Sequence, residues 1–125
     1  MSSSNLKNQS ELFQIINGLK NNGNLDGAIF AYRDGGCIVE ILGNKVKGKE
    51  LVSMCASVLE SAVGIGNAIG SQNINKIIAE LEEKTILIFE CDLNTFLILI
   101  INRESDMSYI FNILEENVQK MIKMY

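Results

Sequence analysis

Two glycine-rich stretches are the first places to look for chemistry. The segment GNKVKGKE (Gly43–Glu50) is close to the phosphate-cradling loop G-x-x-x-x-G-K-[ST], and it lies between a strand-like run, IVEIL, and a helix-like one. A working loop of that kind places Ser or Thr after its lysine to hold magnesium. Here that position is Glu50, whose carboxylate repels phosphate. The run ILIFE (Ile86–Glu90) is similar to a magnesium-binding strand, but it ends in Glu rather than Asp. The second stretch, GIGNAIG (Gly64–Gly70), approaches the dinucleotide fingerprint G-x-G-x-x-G with its spacing off by one residue. Its context is also reversed, since it closes a helix instead of opening one. Neither stretch is expected to bind a nucleotide, and no cofactor is expected.

Other chemistry is scarce. The chain has no His, which removes the commonest general base and a frequent metal ligand. Cys37, Cys55 and Cys91 are widely spaced, lie in apolar runs and form no C-x-x-C pair. They suit a reduced, cytoplasmic protein in which they serve as small apolar residues. Asp26, Asp34 and Asp92 have the positions of turn residues, and Asp106 that of a helix-start acid. Arg33 and Arg103 end strands and are expected to be solvated. No catalytic residue and no metal site are predicted, so the chain is not expected to be an enzyme.

The elements that would carry any site are legible. At 47% hydrophobic and 21% charged, 125 residues make one globular domain. A net charge of −4 argues against a nucleic-acid partner, and the lysines at 45, 47 and 49 read as a solvated loop. The polar residues 1–9 lack the apolar core of a signal peptide and are expected to form a flexible tail, with a single domain over residues 10–125. The longest apolar run, TFLILII, falls far short of the ~20 residues a membrane span requires, so no membrane insertion is expected.

Leu12, Ile15, Ile16 and Leu19 recur at helical spacing and predict a helix over Ser10–Asn21. Ala28–Arg33 and Cys37–Leu42 flank Asp34-Gly35-Gly36, a hairpin signal. A long helix follows over Lys49–Ile69, closed by Gly70. Strands are predicted over Ile74–Glu82, Thr85–Cys91 and Thr95–Asn102. A last amphipathic helix carries Met107, Ile110, Phe111, Leu114, Val118, Met121 and Ile122 on one stripe. The last two strands are apolar at nearly every position, which predicts cover on both faces. The expected fold is an α+β sandwich of order α-β-β-α-β-β-β-α. Its five-stranded antiparallel sheet carries the terminal helices on one face and the long helix on the other.

The long helix has more apolar surface than one sheet needs. Leu51, Cys55, Val58, Ala62, Ile65 and Ile69 share a stripe, and Val52, Leu59 and Val63 widen it. Ser53, Ser57, Ser61, Gly64 and Ala68 line another side, and glycines there cost about 1 kcal/mol each against Ala. Such a helix is suited to packing twice, on its own sheet and on a second chain. A dimer contact is placed on Val52, Ala56, Leu59, Val63 and Gly66, with Ile74, Ile77 and Ile78 of the following strand. A partner surface is placed on Ser53, Ser57, Glu60, Ser61, Gly64 and Asn67. Periodicity leaves these two assignments exchangeable.

The segment LDGAIFAYRDGGCIVEI, the small-residue helix MCASVLESAVGIGNAIG, the three-strand meander and the closing helix together resemble the Roadblock family. The family is named for a dynein light chain and has many bacterial and archaeal members. Glu104–Ser108 departs from the family's usual Asn-Leu-Gly-like entry to the last helix. The resemblance implies a homodimer joined through the long helix and the following strand, and a non-catalytic role as platform or regulator of a small Ras-like GTPase. The alternative is a small-ligand sensor or scaffold domain, which predicts a monomer or a pocket near Phe30, Phe89 and Phe96.

Overall fold

The computed structural model describes the backbone of residues 3–123 and the side chains of residues 9–123. The elements are α1 (Ser3–Asn22), β1 (Gly27–Tyr32), β2 (Cys37–Leu42), α2 (Gly48–Ala68), β3 (Lys76–Glu80), β4 (Thr85–Glu90), β5 (Thr95–Ile101) and α3 (Met107–Lys123). This is the predicted order. The five strands form one antiparallel sheet in the order β2-β1-β5-β4-β3. α1 begins at Ser3, ahead of the expected boundary at Ser10. No Gly or Pro interrupts residues 3–10, but their few apolar side chains gave periodicity nothing to detect. Met1 and Ser2 of the expected tail lie outside the described residues.

The turns follow from local chemistry. Between β1 and β2, Gly35 takes φ +105°, a conformation that costs Gly little. Asp34 Oδ1 accepts the Gly36 N–H at 3.0 Å. Between β4 and β5, Asp92 Oδ1 accepts from the N–H groups of Asn94 and Thr95 and from the Thr95 hydroxyl. Asp106 caps α3 by accepting the Tyr109 N–H. Three of the four aspartates singled out in the sequence are thereby occupied in holding turns and a cap.

Alternation across the pleat divides the core in two. One cluster joins Ala28, Phe30, Leu87, Leu97 and Leu99 to α1 (Leu12, Ile16, Leu19) and α3 (Ile110, Leu114, Val118, Met121). The other joins Ile29, Ala31, Ile88, Phe96 and Ile98 to Val52, Cys55 and Leu59 of α2. The terminal helices therefore share one face and α2 takes the other. β5, at the centre, is buried at every position, as its unbroken apolar run predicts. β4 departs from the prediction: only Leu87 and Ile88 are buried, because one neighbour of β4 is the short edge strand β3. β3 itself is shorter than Ile74–Glu82. The chain before it is tied back to α2 by the Gln72 N–H on the Gly66 carbonyl at 2.9 Å.

Candidate interaction surface

α2 has three faces rather than two. With about 100° between residues, Val52, Cys55 and Leu59 turn to the sheet and are buried, as is Gly66. Ala56 and Val63 flank them, half-buried. Ser53, Ser57, Glu60, Gly64 and Asn67 form a second, exposed row of small or polar residues. Met54, Val58, Ile65 and Ile69 form a third row, exposed by 58, 45, 64 and 70%. A shallow groove lined by Ser57, Val58, Ser61, Ala62, Ile65 and Ile77 runs between this third row and β3.

The predicted contact residues are thus redistributed. Val52 and Leu59, expected to meet a second chain, have spent their surface on the chain's own sheet, and Gly66 is covered by the segment leading into β3. The stripe that sequence periodicity treated as one is split: Cys55 goes to the sheet, whereas Val58, Ile65 and Ile69 stand in the open. Gly66 has a packing reason inside the chain, since a Cβ there would lie 2.2 Å from the Gln72 carbonyl oxygen. Gly64 faces open space. All six residues of the expected partner surface, Ser53, Ser57, Glu60, Ser61, Gly64 and Asn67, are exposed.

β3 completes the surface. It is an edge strand, hydrogen-bonded on one side only, to β4. Ile77 stands opposite Ile88 and packs, with Ile74, beside α2. Ile78 stands opposite Leu87, on the α1/α3 face, and is 50% exposed. An unpaired strand edge next to exposed apolar side chains is an open template for another chain.

The remaining chemistry is quiet. Burial pushes the Cys55 thiol up to about 11. Cys37 is exposed at the start of β2, where partial desolvation and the neighbouring Glu40 also push its thiol up to about 11. Cys91 is pushed up to about 12 by burial and by the charges of Asp92 and Glu90. Such thiols hold little thiolate at neutral pH. Among the described residues no group of His, Cys, Asp or Glu could hold a metal ion. Asp26 lies at the bend between α1 and β1, and its side chain has distant partners: it pairs with Lys84 and accepts from Asn102 Nδ2 at 2.7 Å, and these contacts hold its carboxyl below the usual range. Arg33, expected in solvent, is half-buried and bonded to Glu90 at 3.0 Å. Arg103 is exposed. The near-phosphate loop follows β2, an edge strand paired antiparallel with β1. The Glu40 carboxylate lies so close to Gly48 that a Cβ there would be 2.6 Å from Oε2. Phe30 and Phe96 are fully buried in opposite cores, so they line no common pocket, whereas Phe89 lines an open cleft with Lys76 of β3 and Glu115 of α3.

α2 is the one helix among the described residues long and apolar enough to cross a membrane by length and composition. Its sheet-facing row is part of the core, and the excess apolarity is the exposed row.

No family model and no curated protein matches the sequence. Solved structures do match the fold. MglB of Myxococcus xanthus is 12% identical with a TM-score of 0.85, the match covering 93% of this chain and 88% of that one. The gliding protein MglB of Thermus thermophilus is 8% identical with a TM-score of 0.82, covering 99% and 93%. A Roadblock/LC7 domain from Streptomyces avermitilis is 13% identical with a TM-score of 0.79, covering 89% and 94%. The chain has the Roadblock-type fold.

Proposed function

We propose that this protein is a non-catalytic, homodimeric interaction module that binds a small Ras-like GTPase in the cytoplasm. One observation carries the reading. The exposed apolar row of α2 and the unpaired edge of β3 are adjacent, and together they offer a second copy both side-chain and backbone contacts. Joining two β3 edges would make one continuous sheet and set the two α2 helices side by side. The small polar row would remain outward, and its lack of bulk would let another backbone approach closely. The GTPase itself comes from the resemblance to the Roadblock family and from the likeness of the fold to MglB. The quiet thiols and the absence of His favour a regulatory role over an enzymatic one. The exposed apolar row is read as protein-facing, because α2 cannot enter a lipid phase without withdrawing Val52, Cys55 and Leu59 from the core.

The test is binding to Ras-like GTPases from the same source, loaded with GDP or a non-hydrolysable GTP analogue. The dimer should bind one nucleotide state in preference. Glu60→Arg combined with Gly64→Arg, both outside the groove beside β3, should abolish binding while leaving the mass of the assembly unchanged. Failure of every such GTPase to bind, or binding indifferent to these substitutions, would overturn the GTPase assignment.

A further inference from the structure

β3 reads Lys76-Ile77-Ile78-Ala79-Glu80, with a positive charge at one end and a negative charge at the other. Neither finds an opposite charge within the sheet. Across the ladder Lys76 faces Phe89 and Glu80 faces Thr85. Lys76 lies instead 4.7 Å from the centre of the Phe111 ring. By alternation, Lys76, Ile78 and Glu80 share the α1/α3 side of the sheet, and Ile77 and Ala79 share the α2 side.

Two copies related by a two-fold axis perpendicular to the sheet pair their β3 edges antiparallel. Residues directly opposite must point to the same face, which leaves few registers. Centred on Ile77, the pairing puts Lys76 against the partner's Ile78. Centred on Ala79, it puts Ile78 against the partner's Glu80. Centred on Ile78, it puts Ile78 against its own copy, Ile77 against the partner's Ala79, and Lys76 against the partner's Glu80 at both ends. Only the last uses all five strand residues and matches apolar with apolar and charge with opposite charge at every position.

We propose that β3 selects a second copy of this same chain, with Lys76 and Glu80 as reciprocal register-setting residues about an axis at Ile78. The inference rests on the homodimer reading above and adds to it a specificity: a different chain fits this edge only if it carries the same charge pattern.

The test uses Lys76→Glu and Glu80→Lys. Each alone places like charges at both ends of the paired strands and should weaken self-association roughly tenfold. Mixing the two variants should restore tight association as mixed dimers, and the double swap Lys76→Glu/Glu80→Lys should self-associate like the unmodified chain. In a Cys37→Ser background, Ile78→Cys should form an intermolecular disulfide faster than Ile77→Cys. If the unmodified chain is a dimer but the charge variants associate normally, or Ile77→Cys cross-links faster, the register is wrong and the dimer stands. If the unmodified chain is monomeric, both fall.

Discussion

On one face of the sheet, α1 and α3 together bury Leu12, Ile16, Leu19, Ile110, Leu114, Val118 and Met121. On the other, α2 alone buries Val52, Cys55 and Leu59 and leaves Met54, Val58, Ile65 and Ile69 in solvent. The first face is closed by two helices that spend most of their apolar surface on the fold, leaving Phe13 and Phe111 exposed by 50 and 43%. The second has a single helix with more apolar surface than its sheet can take, beside a strand with an unpaired edge. The difference separates residues that fold the chain from residues free to assemble it, and it places both kinds on one helix.

That separation can be broken by substitution. The largest effect is expected at Leu59, fully buried under α2: Leu59→Ala should cost about 2–5 kcal/mol of unfolding free energy by denaturant titration. Leu114→Ala on the opposite face should cost a similar amount, which would show that the two cores matter equally to the fold. Ile65→Asp, on the outer row, should leave the stability of the folded chain within about 0.5 kcal/mol but weaken self-association by about 2–3 kcal/mol, measured by sedimentation. If Ile65→Asp instead unfolds the chain, the two rows are not separable. Gly66→Ala forces a Cβ against the Gln72 carbonyl and should cost about 1–3 kcal/mol in stability.

The smallest effect is at Asp26, on neither face of the comparison. Its carboxyl is held low by Lys84 first and Asn102 second, so its contribution is present above the ordinary carboxylate pKa of about 3.9 and is lost as pH falls through the lower folded value. The pair is partly exposed, at 46% for Lys84 and 33% for Asp26. Asp26→Asn should therefore cost no more than about 1 kcal/mol at neutral pH. The gap between variant and unmodified chain should close in acid. A gap that widens in acid would contradict the assigned pairing.

Much of the fold was legible because period and punctuation agreed. Asp34-Gly35-Gly36 marked the hairpin, TFLILII marked a strand covered on both sides, and Met107 to Ile122 kept helical spacing. The site was less so. Sequence periodicity shows that Val58 and Leu59 are both apolar, but one step of about 100° decides which meets the sheet. That choice depends on where β1, β5 and β4 lie. The partners of Arg33 and Asp26 were hidden for the same reason, since Glu90 and Lys84 are more than fifty residues away in sequence. The small-residue row was readable because Ser53, Ser57 and Gly64 repeat on one side and nothing in the fold covers them.

The solution mass of the unmodified chain, measured by light scattering after size exclusion across a dilution series, tests most directly whether α2 and β3 form an assembly surface. A mass holding near twice 13.8 kDa is expected. A mass of 13.8 kDa at every concentration would contradict it and leave the outer row of α2 without the partner assigned to it here.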